Sequence, residues 1–167
     1  MIIRKEKPAD IEAITSVTVE AFTNHPTGGE LTEHFIILAL RAADALAISL
    51  VAEIDGEIVG HIAFSPVTIA DGTEGWYGLG PVSVLPEYQK QGIGKALINE
   101  GLSKLREMDA GGCALVGEPE YYKRFGFRNN PGLIYEGINQ AYFLVFPFTD
   151  TVPEGIVTFH EGFLAIE

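Results

Sequence analysis

The sequence predicts an α/β (α+β) fold, a mixed sheet flanked by helices. Three observations carry that expectation. Apolar runs of strand length alternate with helical periodicity only in part, which argues against a wholly parallel, doubly wound sheet. Asp55-Gly56 separates two such runs, "ALAISLVAEI" and "EIVGHIAFSPVTI", and marks a tight antiparallel hairpin. A long strand over 75–85 then passes through a short polar turn into a helix opened by Gly92 and Gly94.

Each element has its own signal. "MIIRKEK" alternates enough for a first strand. A helix follows Pro8, with Ala9, Ile11, Ile14, Val17 or Thr18, Ala21 and Phe22 near helical spacing. "NHPTGGE" is a loop by composition, and a second helix over 30–43 places Leu31, Phe35, Leu38 and Ala42 on one face. After the hairpin, "ADGTEGW" turns the chain into the strand 75–85. The helix after Gly92 runs to about residue 109, with Ile93, Leu97, Ile98, Leu102, Leu105 and Met108 inward. "GGCALVG" reads as a short buried strand, "EPEYYKRFG" as a short helix and "INQAYFLVFPF" as another strand.

Composition bounds the function. A chain of 167 residues, 47% hydrophobic and 20% charged, suits one soluble globular domain. Its longest apolar runs fall short of the roughly 20 residues that span a membrane. "MIIRKEKPAD" has no apolar signal core, so the expectation is a cytoplasmic protein with no membrane partner. Cys113 is the one cysteine; it excludes a disulfide framework and reads as a buried small hydrophobe. His25, His34, His61 and His160 show no metal-ligand spacing, so no metal is expected. A net charge of -12 argues against nucleic acid. Residues 1–89 carry 4 basic and 13 acidic groups, whereas 90–128 carry 7 and 5. The only basic segment thus begins at the glycine loop, a local attraction for an anion in a protein otherwise suited to cations.

A strand–turn–helix junction with two glycines suggests anion binding. The first-turn N–H groups of a helix lack partners, and its dipole places positive charge there. The spacing is not that of a Walker loop, because the lysine after Gly94 comes too early. Nor is it a dinucleotide fingerprint, because Leu97 stands where the third glycine belongs.

The flanks narrow the reading. Val84, Pro86, Gln89, Gly92 and Gly94, in the order V-x-P-x-x-Q-x-x-G-x-G, resemble the acetyl-CoA loop of the GNAT superfamily of N-acetyltransferases. "EYYKRFGF", residues 120–127, resembles that family's Tyr-x-x-x-Gly-Phe element, and the two motifs stand in family order. The "YYxRFGF" form is most similar to a bacterial subgroup. The resemblance covers residues 1–148; the tail 149–167, with "IVTFHEGFLAIE", is expected to add a strand to the same domain.

The resemblance implies a mostly antiparallel, twisted sheet splayed at the acetyl-CoA site. It implies acetyl transfer from acetyl-CoA, as cosubstrate, to a primary amine of a small molecule or peptide by direct attack. The alternative is a non-catalytic acyl-CoA-binding sensor or interaction module. By resemblance, the strand Val82, Ser83 and Val84 would pair with the pantetheine arm, with the Val82 N–H donating to the thioester oxygen. The N–H groups of Gln89, Lys90, Gln91, Gly92, Ile93, Gly94 and Lys95 would grip the pyrophosphate. Tyr122 matches the family's general acid, Tyr121 would point elsewhere, and Phe125 and Phe127 would be core. No carboxylate lies on the strand where the family often places its base, which leaves Glu118, Tyr77, Glu20, Glu33 or a water chain. Many relatives pair through edge strands, so a homodimer is a further expectation.

Overall fold

The computed structural model describes residues 1–23 and 31–167. The loop expected over 24–30, and His25 within it, lie outside the described residues. β1 (Ile2–Lys5) leads through a 3-10 turn at Pro8–Asp10 into α1 (Ile11–Thr23), and α2 is Glu33–Ala42. β2 (Ile48–Ile54), β3 (Glu57–Ile69) and β4 (Trp76–Val84) form a meander. Then come α3 (Ile93–Glu107), β5 (Gly112–Val116), the single turn α4 (Pro119–Tyr122), β6 (Leu133–Ile134), β7 (Phe143–Pro147) and β8 (Gly155–Phe159).

The sheet runs β1-β2-β3-β4-β5-β7, antiparallel except between β4 and β5. The long strand β3 serves two partners in succession. β4 pairs with it from Gly60 to Pro66, and β8 from Val67 to Ile69. The segment after residue 148 therefore adds a strand beside the far end of β3. β6, which no sequence signal announced, pairs with β8.

Helices cover both faces. α3 lies over Gly60 and Phe64: a Cβ on Gly60 would meet Leu97 and Ile93, and Gly101 faces Phe64. His61, one residue out of phase, points to the opposite face, where α2 sends Arg41 to Glu6. Leu97, Ile98 and Leu105 are fully buried, each contributing about 1.5–3 kcal/mol relative to exposure. No helix among the described residues is long and apolar enough to cross a membrane.

Two expectations need correction. Met108 is 45% exposed, because α3 ends at Glu107 and the chain turns away. In α2 the buried residues are Ile37 and Leu40, whereas Leu38 and Ala42 are exposed. "HFIILALRA" is apolar around most of its circumference, so periodicity allows two faces and tertiary contact selects one.

Candidate active site

β4 and β5 part company. They pair at Trp76↔Gly112, Tyr77↔Cys113 and Gly78↔Ala114 and no farther, although β4 continues to Val84. β5 stays with its other neighbour, β7, as far as Val116↔Phe143. An extra residue in β4 drives the separation. Ile62 faces Val82 and Phe64 faces Leu79, so three steps of β4 oppose two of β3, a bulge at Gly80-Pro81 that bends the strand. The opening is a cleft of about 820 Å³.

The cleft exposes backbone. The Leu85 N–H donates to Val59 O at 2.9 Å, so by strand alternation Ser83 addresses β3 while Val82 and Val84 address the cleft. The Gln89 side chain confirms that direction: its Nε2 donates to Val84 O at 3.0 Å.

The same unmatched character continues around the loop. Gly92, at φ 84°, caps α3 in the left-handed region that a Cβ disfavours. The first bond into the helix runs from Ala96 N to Gly92 O, 3.0 Å. None of the N–H groups of residues 90–95 meets an acceptor among the described residues. Gln89 departs from expectation, because its N–H is taken by Pro86 O at 3.3 Å as the preceding 3-10 turn closes. The unmatched run therefore begins at Lys90. Ile93 is buried and Lys90, Gln91 and Lys95 are exposed, so only their main chain is common to this surface.

The two tyrosines diverge. Tyr122 lines the cleft, its ring lying on Gly117, where a Cβ would stand 2.5 Å from a ring carbon. Burial, with the adjacent Tyr121, pushes its phenol up to about 12. The group therefore holds its proton at neutral pH, as a general acid must. Tyr121 meets Tyr122 edge-on, centroids 4.9 Å apart, and turns its hydroxyl to the mouth of α3. That hydroxyl stands 3.5 Å from where a Gly94 Cβ would be. Phe127 is fully buried and Phe125 packs against the same core.

Of the base candidates, Glu33 and Glu118 line the cleft; Glu20 is exposed on α1, and Tyr77 sits outside the cleft opposite Cys113. Burial pushes the Cys113 thiol well up, which leaves it inert. His34 stacks on Phe35, and His160 Nδ1 accepts from Gly162 N.

Sequence reasoning missed the wall at the Leu79 end of the cleft. Phe22 and Ile36 come from α1 and α2, and Tyr135, Phe159 and Phe163 from the last third of the chain. Phe159 lies 4.9 Å from Tyr135 and 5.3 Å from Phe163, centroid to centroid. Their convergence needs the β3–β8 pairing, which no local pattern reveals. Glu33 and Glu118 are the only charged residues among the described ones that line the cleft.

Comparison with known proteins places these features in a family. The sequence model of the acetyltransferase (GNAT) family matches residues 12–127. An uncharacterized N-acetyltransferase of Escherichia coli (strain K12), YhbS, is 34% identical over 128 residues, 76% of this chain and 73% of the relative. The fold is similar to the crystal structure of a GNAT family acetyltransferase from Brucella melitensis in complex with acetyl-CoA. That similarity has a TM-score of 0.86, 49% identity and 97% coverage of both chains. YhbS from Escherichia coli in complex with CoA superposes with a TM-score of 0.90 at 29% identity, over 99% of this chain and 93% of that one.

Proposed function

Because the chain belongs to the GNAT acetyltransferase family and is an acyltransferase of that kind, we propose that it moves the acetyl group of acetyl-CoA to a primary amine. The acceptor is a small molecule or peptide end that carries its ammonium on an apolar body. The observation that carries this reading is one continuous surface. The open backbone of Val82 and Val84 runs into the unmatched amides of residues 90–95 and faces Tyr122 across the cleft.

The pantetheine arm would add as a strand to the β4 edge, and the pyrophosphate would sit on the α3 amides. The Val82 N–H would meet the thioester oxygen, where negative charge gathers as the amine attacks the carbonyl carbon. When the tetrahedral adduct collapses, the carbon–sulfur bond breaks and the thiolate takes the Tyr122 proton. The amine's own proton then restores the phenol. The aromatic faces at the acceptor end, in a cleft lined by two carboxylates and by no lysine or arginine among the described residues, favour a cation with an apolar body.

Thermal melting tests the donor. Acetyl-CoA or CoA raises the melting temperature by linkage, and ATP and NAD do not do so comparably. Thiol release with 2-phenylethylamine, tryptamine, spermidine and a short peptide then tests the acceptor. Faster turnover of the aromatic amines supports the reading; preference for spermidine overturns its acceptor half. Tight acetyl-CoA binding with no thiol release on any amine supports the non-catalytic module instead.

A further inference from the structure

A buried polar chain runs across the strands beside the cleft, and its Glu6 end also anchors α2 through Arg41. Ser49 of β2 donates its hydroxyl to Glu6 Oε1. His61 Nε2 lies 2.7 Å from Ser49 Oγ, and Arg41 holds Glu6 at 3.0 Å. Burial works against the Glu6 charge, but Arg41 and Ser49 outweigh it and hold the carboxyl below its ordinary value. An ionised carboxylate only accepts, so the Ser49 proton is committed to Glu6. Ser49 Oγ must then accept from His61, which fixes the imidazole proton on Nε2 and leaves Nδ1 as a bare lone pair.

That lone pair has no partner among the described residues, in a side chain of 0% exposure. The two nitrogens of an imidazole point in nearly opposite directions, so with Nε2 turned toward β2, Nδ1 turns toward β4. There the register partner of His61 is Ser83, whose side chain rises from the same face across a strand pair of about 5.5 Å. Ser83 lines the cleft, and its buried hydroxyl also lacks a partner among the described residues, so it and Nδ1 do not bond each other directly and a water has to bridge them. At the other end, Glu6 opens onto a separate groove between β1, β2, α2 and α3.

We propose that Ser83, His61, Ser49 and Glu6 form a proton relay that deprotonates the acceptor amine and discharges the proton at the β1 edge of the same face of the sheet. The inference rests on the acetyl-transfer reading, and it supplies the base that β4 lacks. The ammonium gives one proton to Ser83, directly or through one water, and the Ser83 proton passes through a bridging water to His61 Nδ1. The imidazolium releases its Nε2 proton to Ser49, whose own proton goes to Glu6 and out to solvent. The amine keeps its electron pair for attack, and nothing is oxidised or reduced. The charged groups acting on the ring are Glu6 and Arg41, while α1 turns Ile14, Val17 and Thr18 inward. Burial, together with Arg41, outweighs Glu6 and holds His61 down at about 4, so the ring is neutral and passes protons on without retaining them.

Two measurements test the relay. Long-range proton–nitrogen NMR of the labelled protein, with His61 assigned by its loss in His61→Gln, is expected to show the Nε2–H tautomer; the Nδ1–H tautomer overturns the proposal. Thiol release with 2-phenylethylamine is then followed from about pH 7 to 10 in Ser83→Ala and His61→Gln. At pH 7 kcat/KM is expected to fall about 10²-fold, and the loss should shrink toward pH 10, where the amine deprotonates unaided. CoA affinity by calorimetry stays within a few-fold. An unchanged rate, or a loss of the same factor at every pH, overturns the relay and leaves acetyl transfer standing. If the wild type binds acetyl-CoA but releases no thiol with any amine of the panel, the acetyl-transfer reading fails, and the relay with it.

Discussion

Two hollows among the described residues are of nearly equal size, and they differ in how their polar groups are matched. The cleft between β4 and β5 measures about 820 Å³ and the groove bounded by β1, β2, α2 and α3 about 880 Å³. In the groove most charges meet charges. Arg4 on its wall binds Asp10 at 2.8 Å and Glu53 at 2.9 Å, Lys104 reaches Glu100 and Glu107, and Arg41 binds Glu6 although its Nη1 meets no partner among the described residues. In the cleft the polar surface is backbone that the fold leaves unmatched, beside a phenol that keeps its proton. Half-buried polar groups are normally satisfied internally, so the open backbone of Val82 and Val84, next to the partnerless amides at the start of α3, sets the cleft apart from the groove. Volume alone does not separate the two hollows.

Four substitutions sharpen or break that contrast. The largest effect belongs to Tyr122→Phe, which keeps the ring on Gly117 and removes the acidic proton. We expect kcat to fall about 10²–10⁴-fold, roughly 3–5 kcal/mol, with acetyl-CoA affinity within a few-fold. Tyr121→Phe is the control; a loss as large as that of Tyr122→Phe would move the acid to Tyr121. Next comes Gly94→Glu, which sets a negative side chain where the pyrophosphate would lie. CoA affinity by calorimetry is expected to drop by at least about tenfold while the melting temperature holds, and unchanged affinity would place the anion elsewhere.

The groove should answer in stability. Asp10, bonded to Arg4 and to the Lys7 N–H, has its carboxyl held down to about 2. A folded-state value below the unfolded one adds stability above the ordinary carboxylate range and loses it as pH falls toward 2. Asp10→Asn should therefore lower the melting temperature at pH 7 and flatten its decline between pH 4 and 2; parallel curves would mean that the pair contributes nothing. The smallest effect is expected for Lys104→Met, whose ion pairs are exposed: within about 0.5 kcal/mol in stability, with CoA affinity unchanged. If this variant weakened CoA as much as Gly94→Glu does, the contrast between the hollows would fail.

The proposed donor half of the cleft is local in sequence. Lys90 through Lys95 is one loop and helix start, and Tyr122 lies in a contiguous motif, whereas the Gln89 N–H, taken by Pro86 O, departs from the expected run. Strand and helix periods likewise placed β2–β4 and α3, whose Ile93, Leu97, Ile98, Leu102 and Leu105 are all buried. The rest depends on pairing between distant segments. Glu6, Ser49 and His61 meet only because β1 and β3 flank β2, and nothing in "IRKEK", "AISLV" or "VGHIA" announces a contact. Phe159 and Phe163 face the cleft only because β8 docks on the end of β3. α2 shows the complementary failure, in which a helix apolar on several sides gives no preference that sequence alone can rank.

The placement of β8 bears on how such a protein diversifies. Tyr135, Phe159 and Phe163 reach the cleft from residues 128–167, past the end of the family match at residue 127. The opposite end of the cleft is drawn in main chain, which point mutation of the loop's side chains hardly touches. One end of the opening thus tolerates changes of side chain outside Gly92 and Gly94, and the other is written in side chains on and around a late, peripheral strand. Descendants could trade that segment and its aromatics by recombination, acquiring new molecular tastes while inheriting the same main-chain end of the cleft.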